Sequence, residues 1–259
     1  MPSGTRPARP PLALTYHGVS NVPLRRDPHH LFVRPDDLVR QIAALRSWGY
    51  ELVTFGDLAN HVAGGSGDGK AALTFDDGFA DNLHTLAPLL GRVAAPATVF
   101  VVSDWLGKPH PTAPWTTILT ADDVRALHSQ GIEIGAHTAT HPDLSKLLYA
   151  DALRELASSK QALEQLLQAP VDVAAYPYGT ASADTRAAAC DAGFRAACRT
   201  LGAGTWADPF DLPRQAMENR ASLIGLRLKR AGRYEPLMQL RTARGVRRLS
   251  RRVREAMDG

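Results

Sequence analysis

Short apolar, β-rich runs alternate along this chain with longer stretches of helical periodicity, and that alternation constrains the fold more than any other feature. Residues 12–16, 51–54, 71–75, 97–102, 132–136, 173–176 and 194–199 read as strands. Residues 35–48, 57–63, 79–91, 121–130, 147–167 and 183–192 carry apolar side chains at helical spacing. The punctuation agrees. Thr120 precedes Ala-Asp-Asp as an N-cap should, and Gly131 stands just past a helical pattern, where a left-handed residue ends a helix. Alternating strands and helices imply parallel strands joined by right-handed crossovers. Seven strands in about 200 residues predict an α/β fold, a distorted (β/α)7 barrel, with an open doubly wound sheet as the alternative. The expected organisation is a single barrel domain over residues 1–219 and a basic helical C-terminal segment over 220–259.

Charge separates those two parts. The 259 residues carry a formal net charge of +4, yet residues 220–259 hold twelve basic side chains against Glu235, Glu255 and Asp258, a balance of +9. The preceding body is therefore at −5. In the tail Val246, Leu249, Val253 and Met257 recur at helical spacing, while Arg247, Arg248, Arg251, Arg252 and Arg254 fall mainly off that stripe. Such a helix suits packing on the acidic body, peripheral contact with an anionic membrane, or a protein partner. Nucleic acid is disfavoured, because no recognised nucleic-acid motif accompanies the charge. Equal liposome flotation of the full chain and of protein cut at Gly232 would remove the membrane reading.

No run of about 18 apolar residues occurs, which excludes a spanning helix. The first 14 residues hold four prolines and no continuous apolar stretch, unlike a secretory signal, so the expected location is cytoplasmic, with the inner membrane face as an option through the tail. Cys190 and Cys198 cannot build a disulfide framework and read as reduced packing thiols.

In a parallel barrel the chemistry lies at the carboxyl ends of the strands. The third strand ends in Thr74-Phe75-Asp76-Asp77-Gly78, and adjacent carboxylates there need a cation or a proton to separate their roles. The fifth ends in His137-Thr138-Ala139-Thr140-His141, two imidazoles that with one carboxylate make a three-ligand metal set with open positions. The sixth ends in Tyr176-Pro177-Tyr178-Gly179, where a backbone N–H at the glycine turn could hold an oxyanion. Singly, each has a plain alternative: a turn, a helix surface, a tight bend. Together they fall on different strands at one face.

At these residues the sequence resembles the polysaccharide deacetylases, the NodB-homology group forming the fourth carbohydrate esterase family. T-F-D-D-G is similar to that family's first motif, H-T-x-x-H to its second and Y-P-Y-G to its third, with supporting similarity over residues 12–214. The resemblance implies removal of an acetyl group from an acetylated amino sugar, with a divalent ion, zinc by preference. It implies Asp76 as general base, Asp77, His137 and His141 as metal ligands, and the Tyr178 N–H at the oxyanion. Two departures matter. Ala175 stands where the family's third motif places Arg, and no Leu-x-His follows Gly193. Both are accounted for by the chain order of the circularly permuted biofilm-polysaccharide deacetylases, in which the first strand, here Leu12 to Tyr16, ends in a catalytic His. His17 is then the general acid, and Arg214 the cation that orients the base.

Alternatives on the same fold are a deformylase, a cyclic-amide hydrolase and an O-deacetylase. From a different class comes a non-catalytic glycan-binding relative, against which the retention of both Asp76 and Asp77 argues. His29, His30, His61, His84 and His128 read as solvated or packed histidines. His110, Trp105 and Trp115 sit in a proline-rich loop that either walls a sugar site or is anchored by its own tryptophans.

Overall fold

The computed structural model describes residues 9–200, 204–217 and 222–231. The main sheet has nine strands: β1 (Leu12–Tyr16), β2 (Glu51–Val53), β3 (Lys70–Phe75), β4 (Thr98–Val101), β5 (Glu133–Ala136), β6 (Val173–Ala175), β7 (Ala196–Arg199), β8 (Leu212–Pro213) and β9 (Gln215–Ala216). Between them run helices α1 (Pro35–Ser47), α2 (Phe55–Ala63), α3 (Ala87–Val93), α4 (Ala121–Ser129), α5 (Tyr149–Leu167) and α6 (Ala183–Asp191); α7 (Leu223–Arg230) follows the sheet.

Every pairing in this sheet is parallel, in the order β8-β7-β6-β5-β4-β3-β1-β9. The two ends of that order are halves of one extended segment. Leu212 and Pro213 pair with Cys198 and Arg199 of β7, while Gln215 and Ala216 pair with Leu14 and Thr15 of β1. Residues 212–216 thus carry the sheet from its last long strand back to its first, and the barrel is nearly closed around Arg214. Strands covered on both faces are buried throughout rather than alternating, as Leu12–Tyr16 and Thr98–Val101 are, because helices cover the outside and side chains fill the inside. Packing there is close. A Cβ on Gly135 would come within 2.4 Å of the Phe100 ring.

One expected ring strand is displaced. Glu51–Val53 pairs with Lys70, Ala71 and Ala72, the first half of β3, while β4 pairs with Thr74 and Phe75 on that strand's second half. Thr54 caps α2 at once by accepting the Asp57 N–H (3.1 Å), and the Phe55 N–H is taken by Thr98 Oγ1 (2.8 Å), so the chain turns away from β3. The seventh place in the ring belongs to residues 212–216, where Pro213 and Arg214 interrupt the apolar run that marks the other strands.

Local signals are met elsewhere. Thr120 and Asp123 form a reciprocal capping box on α4, and Gly131 (φ +81°) ends it with the paired hydrogen bonds Gly131 N–H to His128 O and Ile132 N–H to Leu127 O. The helix expected over 79–91 begins instead as a π-turn over Asn82–Leu86 before α3. Its start is tied to β1's continuation: Asp81 accepts the Val19 N–H (2.9 Å), and Asn82 Nδ2 donates to His17 O (3.2 Å). The proline-rich loop after β4 contains a hairpin, Pro109–His110 against Ala113–Thr117. Cys198 is buried with its Sγ donating to Ala174 O, but Cys190 is exposed and so is not a packing thiol.

The chain divides into two compact units, residues 1–220 and 221–259. Of the second, α7 is described; Ser222 Oγ caps it by accepting the Gly225 N–H. The apolar stripe and arginines of residues 246–257 lie outside the described residues. No helix among the described residues is long and apolar enough to cross a membrane.

Candidate active site

The carboxyl ends of β1, β3, β5 and β6 open into a cavity of about 560 Å³ lined by His17, Asp76, Asp77, His137, His141 and Tyr178, with Trp105, His110 and His29 around them. The backbone there is unusual. Asp77 (φ +71°), Thr138 (φ +66°), His141 (φ +63°) and Tyr178 (φ +59°) all occupy the left-handed region. Such residues each cost on the order of 1–3 kcal/mol and collect where geometry is held for function.

The neighbouring aspartates are separated in role by their partners. Arg214, 2% exposed, donates from Nη1 to Asp76 Oδ1 and from Nη2 to Asp76 Oδ2, both at 2.7 Å. Its Nη1 also reaches Thr74 Oγ1 (2.9 Å), Nη2 reaches Thr200 Oγ1 (3.2 Å), and its guanidinium lies 5.3 Å from the Phe100 ring centre. Burial works to raise the Asp76 carboxyl, but Arg214 foremost and then His137 outweigh it and hold the group below its ordinary value. Asp76 is therefore ionised and fixed. Arg214 thus supplies the cation that Ala175 cannot.

Asp77 points the other way. Its Oδ1 lies 3.6 Å from His137 Nε2 and 3.4 Å from His141 Nε2, and this buried oxygen has no hydrogen-bond partner. His137 Nδ1 sits 2.7 Å from Ala175 O, so Nδ1 carries the proton and the Nε2 lone pair faces Asp77. One ligand atom from each of Asp77, His137 and His141 falls within 4.8 Å of the others. An orphaned carboxylate oxygen between two imidazole nitrogens fits a divalent cation of the zinc kind. Burial, then the neighbouring His137, pushes the His141 imidazole down to about 4, leaving it neutral near pH 7, as a ligand must be. The Asp77 carboxyl is held well below its ordinary value: His110 and the surrounding imidazoles overcome the burial that would raise it.

Contacts that position this set were not legible in the sequence. Glu155 on α5 accepts the N–H groups of Ala139 (3.1 Å) and Thr140 (2.8 Å) and the Thr140 hydroxyl (2.7 Å), clamping the loop between the two histidines. Thr138 Oγ1 accepts the His141 N–H from within the same loop (3.0 Å). His110, for which the sequence left open a sugar-site wall or a loop anchored by its tryptophans, lines the cavity and is buried against Asp77, with Nε2 3.2 Å from Oδ2. Nothing local marks either: Glu155 is one acid on an amphipathic helix, and His110 stands 33 positions from its partner.

The remaining candidates fall as follows. His17 lines the cavity, near enough for its charge to lower the carboxyls of Asp76 and Asp77. The Tyr178 side chain is 60% exposed, its ring 5.0 Å from that of His141. Trp105 packs 4.9 Å from the His141 ring, whereas Trp115 packs on Phe32 at 5.1 Å. His29, read as a solvated or packed histidine, is exposed and is among the residues lining the cavity.

A parallel barrel whose strand ends gather an arginine-locked carboxylate beside a His-His-Asp cluster able to hold a metal ion has the form of a hydrolase. The chain belongs to the polysaccharide deacetylase family, whose model matches residues 63–197. It is 30% identical over 148 residues to a chitooligosaccharide deacetylase of Sinorhizobium fredii, covering 56% of this chain and 63% of that protein. Over 123 residues it is 28% identical to the putative polysaccharide deacetylase YxkH of Bacillus subtilis, covering 48% of this chain and 42% of that one. The match therefore spans less than two thirds of these relatives. In structure it is similar to the Streptococcus pyogenes deacetylase PplD in complex with acetate, with a TM-score of 0.72 at 22% identity over 83% of this chain and 96% of that one.

Proposed function

We propose that this chain is a zinc-dependent hydrolase that removes the N-acetyl group from an amino sugar in a polysaccharide, oligosaccharide or sugar conjugate. The observation that carries the reading is the division of two adjacent aspartates: Asp76 locked by Arg214, Asp77 with a bare oxygen facing two imidazole nitrogens. Family membership and the deacetylase relatives support the same class of reaction.

Asp77, His137 and His141 would hold the cation, which when bound polarises the acetyl carbonyl and acidifies a water. Asp76 receives the proton of the attacking water. Because its carboxyl is held low it is a weak base, and only an acidified water loses its proton to it readily. Arg214 keeps both of its oxygens in one orientation while leaving lone pairs for that transfer. The Tyr178 N–H, presented by a left-handed backbone, stabilises the oxyanion. His17, on the neighbouring strand end, protonates the departing amine nitrogen. Breaking the C–N bond needs that proton, since an amide anion is a very poor leaving group.

His17→Ala is accordingly expected to lower acetate release from an N-acetylated amino sugar by roughly 10²-fold or more. Hydrolysis of an aryl acetate, whose phenolate leaves without a proton, should change only a few-fold. If the two substrates fell together, or if neither changed more than a few-fold, His17 would not be the acid. Acetate release across a panel of N-acetyl sugars, O-acetyl sugars and lipid-linked sugars tests the substrate class; release from the O-acetyl members alone would overturn N-deacetylation.

A further inference from the structure

His110 on the hairpin after β4 makes contacts that the proposed reaction does not itself require. Its Nδ1 lies 3.2 Å from the Ala113 N and 3.3 Å from both the N and Oγ1 of Thr112. Backbone amides only donate, so Nδ1 must accept and the ring's single proton resides on Nε2. That N–H points at Asp77 Oδ2, 3.2 Å away. The ring is gripped on two sides: it stacks on Phe79 at 4.6 Å and 22°, and meets Trp105 edge to face at 5.3 Å and 84°. Phe79 follows the Asp77-Gly78 turn directly, and Trp105 also packs on His141. The hairpin, the aspartate turn and the second histidine are thus assembled around one imidazole.

We infer that His110 is a positioning residue for the metal ligand Asp77: its Nε2–H occupies Oδ2 and so presents Oδ1 as a single ligand atom toward His137 and His141. The inference rests on the reading of Asp77 as a ligand. Physically it has two parts. A carboxylate with Oδ2 already accepting a hydrogen bond is biased toward holding a cation through Oδ1 alone, which would leave positions for water and substrate. The donated proton also offsets the burial of Asp77 before a cation arrives. Outer partners of this kind typically carry roughly 10–100-fold in metal affinity.

The test is zinc affinity of the metal-stripped full chain, measured by competition with a chromogenic chelator. His110→Phe keeps a ring between Phe79 and Trp105 but removes both nitrogens, whereas His110→Gln retains an N–H donor. Phe is expected to weaken zinc binding by the folded protein by roughly 10–100-fold, and Gln to recover most of the loss. Phe within two-fold of wild type, or Phe and Gln weakened equally, would overturn the inference. Should the Phe variant not fold, nitrogen NMR of wild type decides. The Nε2-protonated tautomer, with Nδ1 as acceptor, is expected with and without zinc; the opposite tautomer, or a nitrogen shift of direct zinc ligation, would contradict it. Failure of wild type itself to bind zinc would remove the metal reading beneath this inference, whereas wild-type binding with an unaffected Phe variant removes the inference alone.

Discussion

Asp76→Asn should lower kcat/KM for acetate release by roughly 10²–10⁴-fold while leaving zinc affinity within a few-fold. The carboxamide keeps the shape of the side chain but cannot take a proton. The cation set, Asp77, His137 and His141, is untouched by the change. What separates this outcome from general damage is the split between the two readings. If Asp76 were merely the partner of Arg214, its replacement would lower stability and leave the turnover of the folded fraction nearly intact. Steady-state kinetics at saturating zinc, paired with chelator competition, reads both. A loss of less than tenfold in kcat/KM would mean that another group takes the proton.

The largest effect on stability is expected from Arg214→Met. Arg214 and Asp76 are both buried and doubly hydrogen-bonded, and removing one partner of such a pair typically costs about 3–5 kcal/mol because the other charge is left uncompensated. Its dependence on pH follows from the Asp76 shift. In the wild type that carboxyl lies below its ordinary 3.8, so its contribution to stability is present above that value and fades as pH falls through the lower folded value. Without Arg214 burial is opposed only by His137 and His17, so the carboxyl rises and the stability it contributes toward neutral pH is lost. The gap between wild type and variant should therefore be widest near pH 7 and close toward pH 4, as read by chemical denaturation across that range. Asp76→Asn combined with Arg214→Met should recover part of the loss, since the stranded charge is gone. A single variant within about 1 kcal/mol of wild type at pH 7 would contradict the pairing as the base's support.

Much of the fold was legible because a parallel strand buried on both faces leaves a continuous apolar run, as residues 12–16 and 71–75 do. The ring's last member was not. Residues 212–216 form hydrogen bonds on both sides, yet Pro213 and Arg214 give them no apolar signature, while residues 51–54 carried the pattern and fall outside the ring path. The site divides likewise. Asp76, Asp77, His137, His141 and Tyr178 are close in sequence to turns that demand particular backbone geometry, so short motifs mark them. His17 and Arg214 were reached only because two expected residues were missing elsewhere and the chain order offered replacements. Glu155, and the role of His110, were beyond reach: each acts through a contact that closes only in three dimensions, His110 33 positions from Asp77 and Glu155 15 positions from Thr140.

The central claim is that a cation held by Asp77, His137 and His141 is required for acetyl transfer to water at this site. Its most direct test is acetate release from an N-acetylated amino sugar by the full chain, stripped of metal by chelation and then titrated with zinc. Release should vanish on stripping and return in proportion to zinc bound, saturating at one site per chain. Release that survives stripping, or zinc binding that restores none, would contradict the account.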